Sequence, residues 1–272
     1  MGDSKGGPVY KGLGKIPDRL LFLFAGLVYL FLYAPIIVLV FFSFNSTRST
    51  QVWTGFSMQW YGELIRDGSV LNAFKLSLIV GLTATTIATV IGTLTALALS
   101  RYDFRGKTFA DSAIYAATVM PEIVVGVSLL VFFVAATVEL GIVTIIIAHV
   151  AFCISFVTIV VRARLSGMDR SVEEAAQDLG ATPVQTFLRV TLPLILPGVM
   201  AGALLAFTLS FDDFVITFFV SGVGSSTLPL KIYSMIKFGV SPVINALSTV
   251  VIFATMILIL GGSRFMARRE SA

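Results

Sequence analysis

Charge is scarce in this 272-residue sequence: Asp, Glu, Lys and Arg make up 12% of it, against about 25% in an ordinary soluble domain. Apolar residues reach 57%, above the roughly 45–50% of soluble chains. Those two values exclude a soluble globular domain. Cysteine occurs once, at Cys153, so no intrachain disulfide can form. That thiol reads as a small packing residue and not as a redox centre. Histidine also occurs once, at His149, and reads as a hydrogen-bonded packing residue in preference to a proton relay. Gly14-Lys15 is followed by Ile16, so a phosphate-binding P-loop is excluded. The chain carries no metal site and binds no cofactor of its own on this reading.

What the sequence does have is long apolar runs. Six stretches approach or exceed the roughly 20 residues that span a bilayer: 20–44, 73–100, 112–137, 142–161, 194–220 and 244–261. The fold class is therefore an all-α membrane protein with six transmembrane helices. The first run is longer than a signal-peptide core, and no small-residue cleavage pattern follows it. Fourteen of the nineteen Lys and Arg residues fall before the first run, between the second and third, between the fourth and fifth, or after the last. The positive-inside rule places both termini in the cytoplasm. The net charge of +4 then reflects topology and requires no nucleic-acid partner. Residues 1–18 form a polar, Gly-rich cytoplasmic tail, and residues 19–272 form one transmembrane domain in contact with lipid.

The cytoplasmic segment 166–192 carries dense local signals. Ser171 and Glu174 have the spacing of a capping box. Val172, Ala175, Ala176 and Leu179 follow at i, i+3, i+4 and i+7 as a narrow apolar stripe, flanked by Glu173, Glu174 and Asp178. Gly180 supplies a left-handed stop. Thr182, Pro183 and Gln185 then open a second short helix, which Pro193 ends. Two readings of the segment stand side by side: a solvated connector, or a shallow surface that a basic-rimmed partner closes over.

The stretch "EEAAQDLGATPVQTFLRVTLP" resembles the EAA signature of permease subunits of bacterial ABC importers. Glu174, Ala175, Ala176, Gly180, Leu192 and Pro193 match it, with Val190 in place of the commoner Ile. "HVAFCISFVTIVVRARL", "FTLSFDDFVITFFVSG" and "LPLKIYSMIKFGVSPVINA" are similar to the second permease subunit of spermidine/putrescine importers. The resemblance implies a type I, MetI-like permease fold in the bacterial inner membrane. It implies a coupling helix, with Glu173, Glu174, Ala175, Ala176, Asp178, Leu179 and Gly180 engaging a cytoplasmic ATPase. It also implies partners: a second permease subunit, two ATPase subunits that bind ATP and Mg, and an external polyamine-binding protein. This chain is then a non-catalytic subunit.

Against that background stands "FTLSFDDFVI", residues 207–216. A carboxylate at bilayer depth costs about 2.5–3.5 kcal/mol on insertion scales. Asp212 and Asp213 lie about 18 residues into their run, or roughly 27 Å at helical rise, in the outer half of the membrane. As helical neighbours they point about 100° apart, which disfavours a shared-proton protease dyad. One faces the path and the other a neighbouring helix or a second ammonium group. Phe211 and Phe214 add aromatic faces for cation–π contact. Pro121 interrupts the third run, so Glu122 joins the substrate pathway, with Tyr115 on the same face nearly two turns earlier. Purely structural pairing of these acids is the competing reading. Gly81, Thr85, Thr89 and Thr93 form a close-packing seam. Trp53, Phe56, Trp60 and Tyr61 in loop 45–71 read as interfacial anchors. Asn45-Ser46-Thr47 fits a glycosylation triplet that carries no weight. Lys231 and Lys237, in the loop 221–243, face the binding protein on this reading.

The function so inferred is polyamine import. The alternatives are another cationic solute or metal complex carried by the same architecture, or an ion-coupled secondary transporter. The docking loop argues against the last, which has no ATPase to engage.

Overall fold

A computed structural model describes residues 18–49, 52–237, 239 and 241–270; the expected tail, apart from Asp18, lies outside them. The described chain is helical, with one isolated bridge between Asn45 and Phe56. In chain order the elements are α1 (Asp18–Phe42), α2 (Gln59–Arg66), α3 (Gly68–Arg101), α4 (Lys107–Val119), α5 (Glu122–Ala135) and α6 (Ile142–Ser166). There follow α7 (Ser171–Asp178), α8 (Pro183–Thr186), a π turn (Phe187–Thr191), α9 (Leu192–Asp212), α10 (Val215–Val220), α11 (Leu228–Lys237) and α12 (Pro242–Glu270).

Among the described residues, four helices are long and apolar enough to cross a membrane: Arg19–Phe42, Gly68–Arg101, Ile142–Ser166 and Pro183–Asp212. A fifth arises if α4 and α5 count as one span, although they are bent by 113° at their break; Pro242–Ile257 is a shorter apolar helix. The bend has the expected cause. Pro121 lacks the N–H that would continue the ladder, and its ψ of 133° turns the chain out of helix. The break also corrects the placement of Tyr115: it lies on α4 and Glu122 opens α5, so the two do not share a helical face.

The chain groups into two units, residues up to Leu64 with Ser241–Ile252, and Ile65–Val240 with Phe253 onward. In the first, Asn45 organises the loop after α1. Its Nδ2 donates to the carbonyls of Ser49 (2.7 Å) and Val52 (2.8 Å), and its Oδ1 accepts from the Thr54 N–H at 2.9 Å. Fully buried, Asn45 is a structural hub and offers no glycosylation acceptor. Trp60 donates from Nε1 to the Asn45 carbonyl at 2.5 Å and is buried. It is a core residue of this unit, contrary to the interfacial anchor expected, because its indole satisfies the loop's own backbone. Trp53 stacks on Phe41, 4.2 Å between ring centres.

The second unit is built on α3, α6 and α9, whose shared core includes Val80, Ala88, Ala96, Ala148, Cys153, Val157, Val161, Ile195 and Ala206. Cys153 is buried there as a packing residue. Small residues permit the close approach, as membrane helices require when lipid is as apolar as the side chains. A Cβ on Gly92 of α3 would lie 2.8 Å from Val157 Cβ and 3.1 Å from the Ile154 carbonyl. A Cβ on Gly202 of α9 would likewise meet Val157, at 3.4 Å from its Cγ1. Val157 is thus wedged between two glycines on two helices. Gly81 faces the Phe207 ring of α9 at 3.3 Å, so the four-residue seam on α3 does pack where it begins.

Gly92→Val should destabilise this three-helix core by about 1–3 kcal/mol, the usual cost of overpacking, and lower the thermal unfolding midpoint in detergent. An unchanged midpoint would show that α3 and α6 do not approach this closely.

Candidate functional site

The helix α9 ends at Asp212. Asp213 takes an extended conformation (φ −64°, ψ 123°) and α10 starts at Val215. The two aspartates therefore sit at a helix break and not within one helix, which corrects the premise of a regular 100° offset. The break follows from Asp213 itself. Its Oδ1 accepts the Ile216 N–H at 3.2 Å, and its Oδ2 accepts the Thr217 N–H and hydroxyl, both at 2.8 Å. A short acidic side chain that serves the first free N–H groups of the next helix competes with continuation of the last one.

The same oxygen, Oδ2, lies 3.2 Å from His149 Nε2. His149 Nε2 is also 3.0 Å from Thr217 Oγ1, and its Nδ1 is 2.7 Å from Ser210 Oγ. A carboxylate only accepts, so the hydrogen of the imidazole is assigned to Nε2, and Nδ1 accepts from Ser210. Both side chains are buried, 2% exposed for His149 and 4% for Asp213. His149 thus belongs to a closed hydrogen-bond network, as expected of a packing residue.

Asp212 is different. It is exposed, and among the described residues it forms no hydrogen bond or ion pair. Glu122, the first residue of α5, is likewise exposed and unpaired among the described residues. The carboxylates of Asp213 and Asp212 lie close enough to act on Glu122 electrostatically. Packing explains the convergence. Gly126, one turn after Glu122, lets α5 approach α10, where an added Cβ would meet Phe219 at 2.8 Å and Ile216 Cα at 3.3 Å. The two broken helices therefore start side by side, with Glu122 in the first turn of α5 and Asp213 just before α10, where free N–H groups favour negative charge.

Aromatic rings flank the break on both sides. Phe211 stacks with Phe207 (5.6 Å) and meets Phe74 edge-on (6.3 Å). Phe214 lies 4.6 Å from Tyr233 of α11 and 5.7 Å from Phe218. Tyr115 forms no ring contact with this cluster among the described residues; its carbonyl accepts the Thr118 hydroxyl. Sequence reading missed Tyr233, Phe74 and the His149–Asp213 bond, whose partners are separated by scores of residues.

At the far end of α9, α7 displays Val172, Ala175 and Leu179 outward, with Leu179 90% exposed. Ala176 is half-buried and Glu174 and Asp178 are exposed. Gly180 has φ +86° and closes the helix with bonds from its N–H to Gln177 and from Ala181 to Ala176. Thr182 and Gln185 form the expected reciprocal box. Three details differ from expectation. The cap of α7 is Asp169, whose Oδ1 accepts the Ser171 N–H at 3.0 Å and whose carboxyl is held below its ordinary pKa first by that N–H; Ser171 is already helical. Glu173, expected on the acidic rim, turns inward to Arg101. The second helix does not stop at Pro193 but runs through the π turn into α9, whose wider ladder accommodates a residue without an N–H.

Residues 88–268 match the family described as binding-protein-dependent transport system inner membrane component. The putrescine transport system permease protein PotI of Escherichia coli (strain K12) is 46% identical over 261 residues, covering 93% of this chain and 92% of that protein. The spermidine/putrescine transport system permease protein PotC of the same strain is 43% identical over 244 residues, covering 90% and 92%. Among solved structures, a bacterial ABC transporter involved in the import of the acidic polysaccharide alginate superposes with a TM-score of 0.76 at 17% identity, over 95% of this chain and 99% of that one. The MetNI methionine ABC transporter in an inward-facing form gives 0.61 at 18% identity, over 78% and 99%. At such identities these structures establish the fold, that of ABC importer permeases, and nothing about cargo.

The two aspartates should separate in a stability measurement. Asp213→Asn should lower the unfolding midpoint in detergent, by the about 1–3 kcal/mol that an unsatisfied buried group costs, while Asp212→Asn leaves it unchanged. Equal shifts for the two variants would contradict the division between a bonded and an open carboxylate.

Proposed function

The chain belongs to the family of inner membrane components of binding-protein-dependent transport systems, and from that premise we propose that it is a permease subunit of an ATP-driven polyamine importer. The observation that carries the cargo assignment is the open anionic cluster: Asp212 and Glu122 are exposed beside the bonded Asp213, and neither forms an ion pair among the described residues. A polyamine is a chain of ammonium groups joined by short apolar links. It needs carboxylates for its charges and aromatic faces for its cations and methylenes. Phe211 and Phe214 offer such faces on either side of the break. The names of the relatives point the same way, to putrescine and spermidine.

In this proposal the chain has six spans, counting the bent α4–α5 pair and α12, with both termini in the cytoplasm. It forms half of the pathway, opposite a second permease subunit. Two ATPase subunits bind ATP and Mg, and an external protein delivers the polyamine. The helix α7 is the coupling helix, supported by the EAA pattern, by its outward apolar stripe of Val172, Ala175 and Leu179, and by the exposed acids Glu174 and Asp178. ATP-driven closure of the ATPase pair moves α7 and opens the outer side. Cargo then reaches Asp212 and Glu122, and hydrolysis reverses the sequence. The subunit itself carries out no chemistry.

Uptake of labelled putrescine or spermidine by the reconstituted assembly tests the reading. Asp212→Asn should lower uptake at least about tenfold, since one charge pair at 4 Å and an effective dielectric of about 20 is worth about 4 kcal/mol, with assembly intact. Undiminished uptake would remove the cation site. Leu179→Asp should cut recovery of the ATPase with the permease by about tenfold or more, as loss of an exposed apolar anchor does; full recovery would remove α7 as the docking helix.

A further inference from the structure

Arg101 and Glu173 touch neither the acidic break nor the outward face of α7, yet they are the most shielded ion pair on the cytoplasmic side. Arg101 is the last residue of α3 and Glu173 lies in the first turn of α7. Arg101 Nε is 2.9 Å from Glu173 Oε2, and both side chains are 13% exposed. The second oxygen of the carboxylate, Oε1, accepts the Thr191 hydroxyl at 2.7 Å, and Thr191 closes the π turn that leads into α9. Beside them Arg170 donates from Nη2 to the Ser100 carbonyl at 2.7 Å. One carboxylate thus links α7 to the cytoplasmic ends of two long helices.

The link matters because little else holds α7. None of its eight residues is buried, and glycines stand at both of its ends, Gly167 and the left-handed Gly180. A displacement of α7 is either absorbed by those flexible ends or carried through side chains into α3 and α9. A cavity of about 260 Å³ surrounds the joint, lined by Arg101, Glu173, Gln177, Thr186 and Thr191 among others. Arg101 Nη2 and Thr186 Oγ1 are buried without a hydrogen-bond partner among the described residues. The guanidinium therefore has donors in reserve and space in which to re-aim them.

We propose that Arg101 and Glu173 are positioning residues of the transport cycle, a charged joint that transmits movement of α7 to α3 and α9. The inference rests on the reading that α7 engages an ATPase. The experiment uses the complete transporter in proteoliposomes and measures labelled polyamine uptake and ATP hydrolysis together. In Glu173→Gln, which keeps shape and the Thr191 bond while removing the charge, hydrolysis should persist and the polyamine moved per ATP should fall about tenfold, the size of a modest ion-pair energy. Arg101→Ala should do the same, and Arg101→Lys should recover most of the ratio. A role confined to folding lowers uptake and hydrolysis together and leaves the ratio unchanged; that result overturns the proposal. If Arg101→Ala does not assemble, Glu173→Gln decides alone, and a wild-type ratio in it overturns the proposal. Failure of the unmodified transporter to move polyamine would instead strike the functional reading on which the joint depends.

Discussion

A carboxylate buried among apolar helices survives only if its lone pairs are filled, and that constraint on Asp213 shapes one end of the second unit. Two backbone N–H groups, a hydroxyl and an imidazole converge on it. Each removes part of a desolvation cost that an isolated ion does not recover. Filling those lone pairs requires the helix to end at Asp212 and restart at Val215, so one side chain both breaks the span and holds its pieces together. The break delivers Asp212 to the open side and sets α10 beside α5, where the equally broken third stretch presents Glu122. On the proposed reading, the chemistry offered to a passenger follows from an internal hydrogen-bond network that the passenger need not touch.

The rest of the unit holds that break at one end and the short, unburied helix α7 at the other. Between them α3, α6 and α9 pack tightly through Gly92, Gly202 and Val157. Interiors packed at this density transmit strain instead of absorbing it. α3 and α9 run from Arg101 and Thr191 at one end of this core to Phe74, Phe211 and Asp212 at the other.

Local chemistry was legible in the sequence and distant chemistry was not. The Thr182–Gln185 box, the Gly180 stop and the Pro121 break are set by residues within one turn of each other, so spacing alone reveals them. The start of α7 was misplaced because Asp169 and Ser171 are both competent caps, and only the αR conformation of Arg170 decides between them. Glu173 and Glu174 look equivalent as neighbours in a loop; what turns Glu173 inward is Arg101, at the far end of another helix. In the same way nothing adjacent to "FDDF" announces His149 or Tyr233. A lone intramembrane histidine is nevertheless a signal that some acid is waiting for it, and that signal was available. Tyr115 was placed beside Glu122 by a helical count that a 113° bend invalidates.

The central claim is that the two neighbouring carboxylates have divided their roles, Asp213 inward and Asp212 toward the cargo. An experimental structure of the assembled transporter with putrescine bound tests it most directly. The account predicts an ammonium group within hydrogen-bond distance of the Asp212 carboxylate, with Asp213 still bonded to His149 and Thr217. An ammonium seated on Asp213 with His149 swung away, or Asp212 locked to an arginine of a neighbouring subunit, would contradict it.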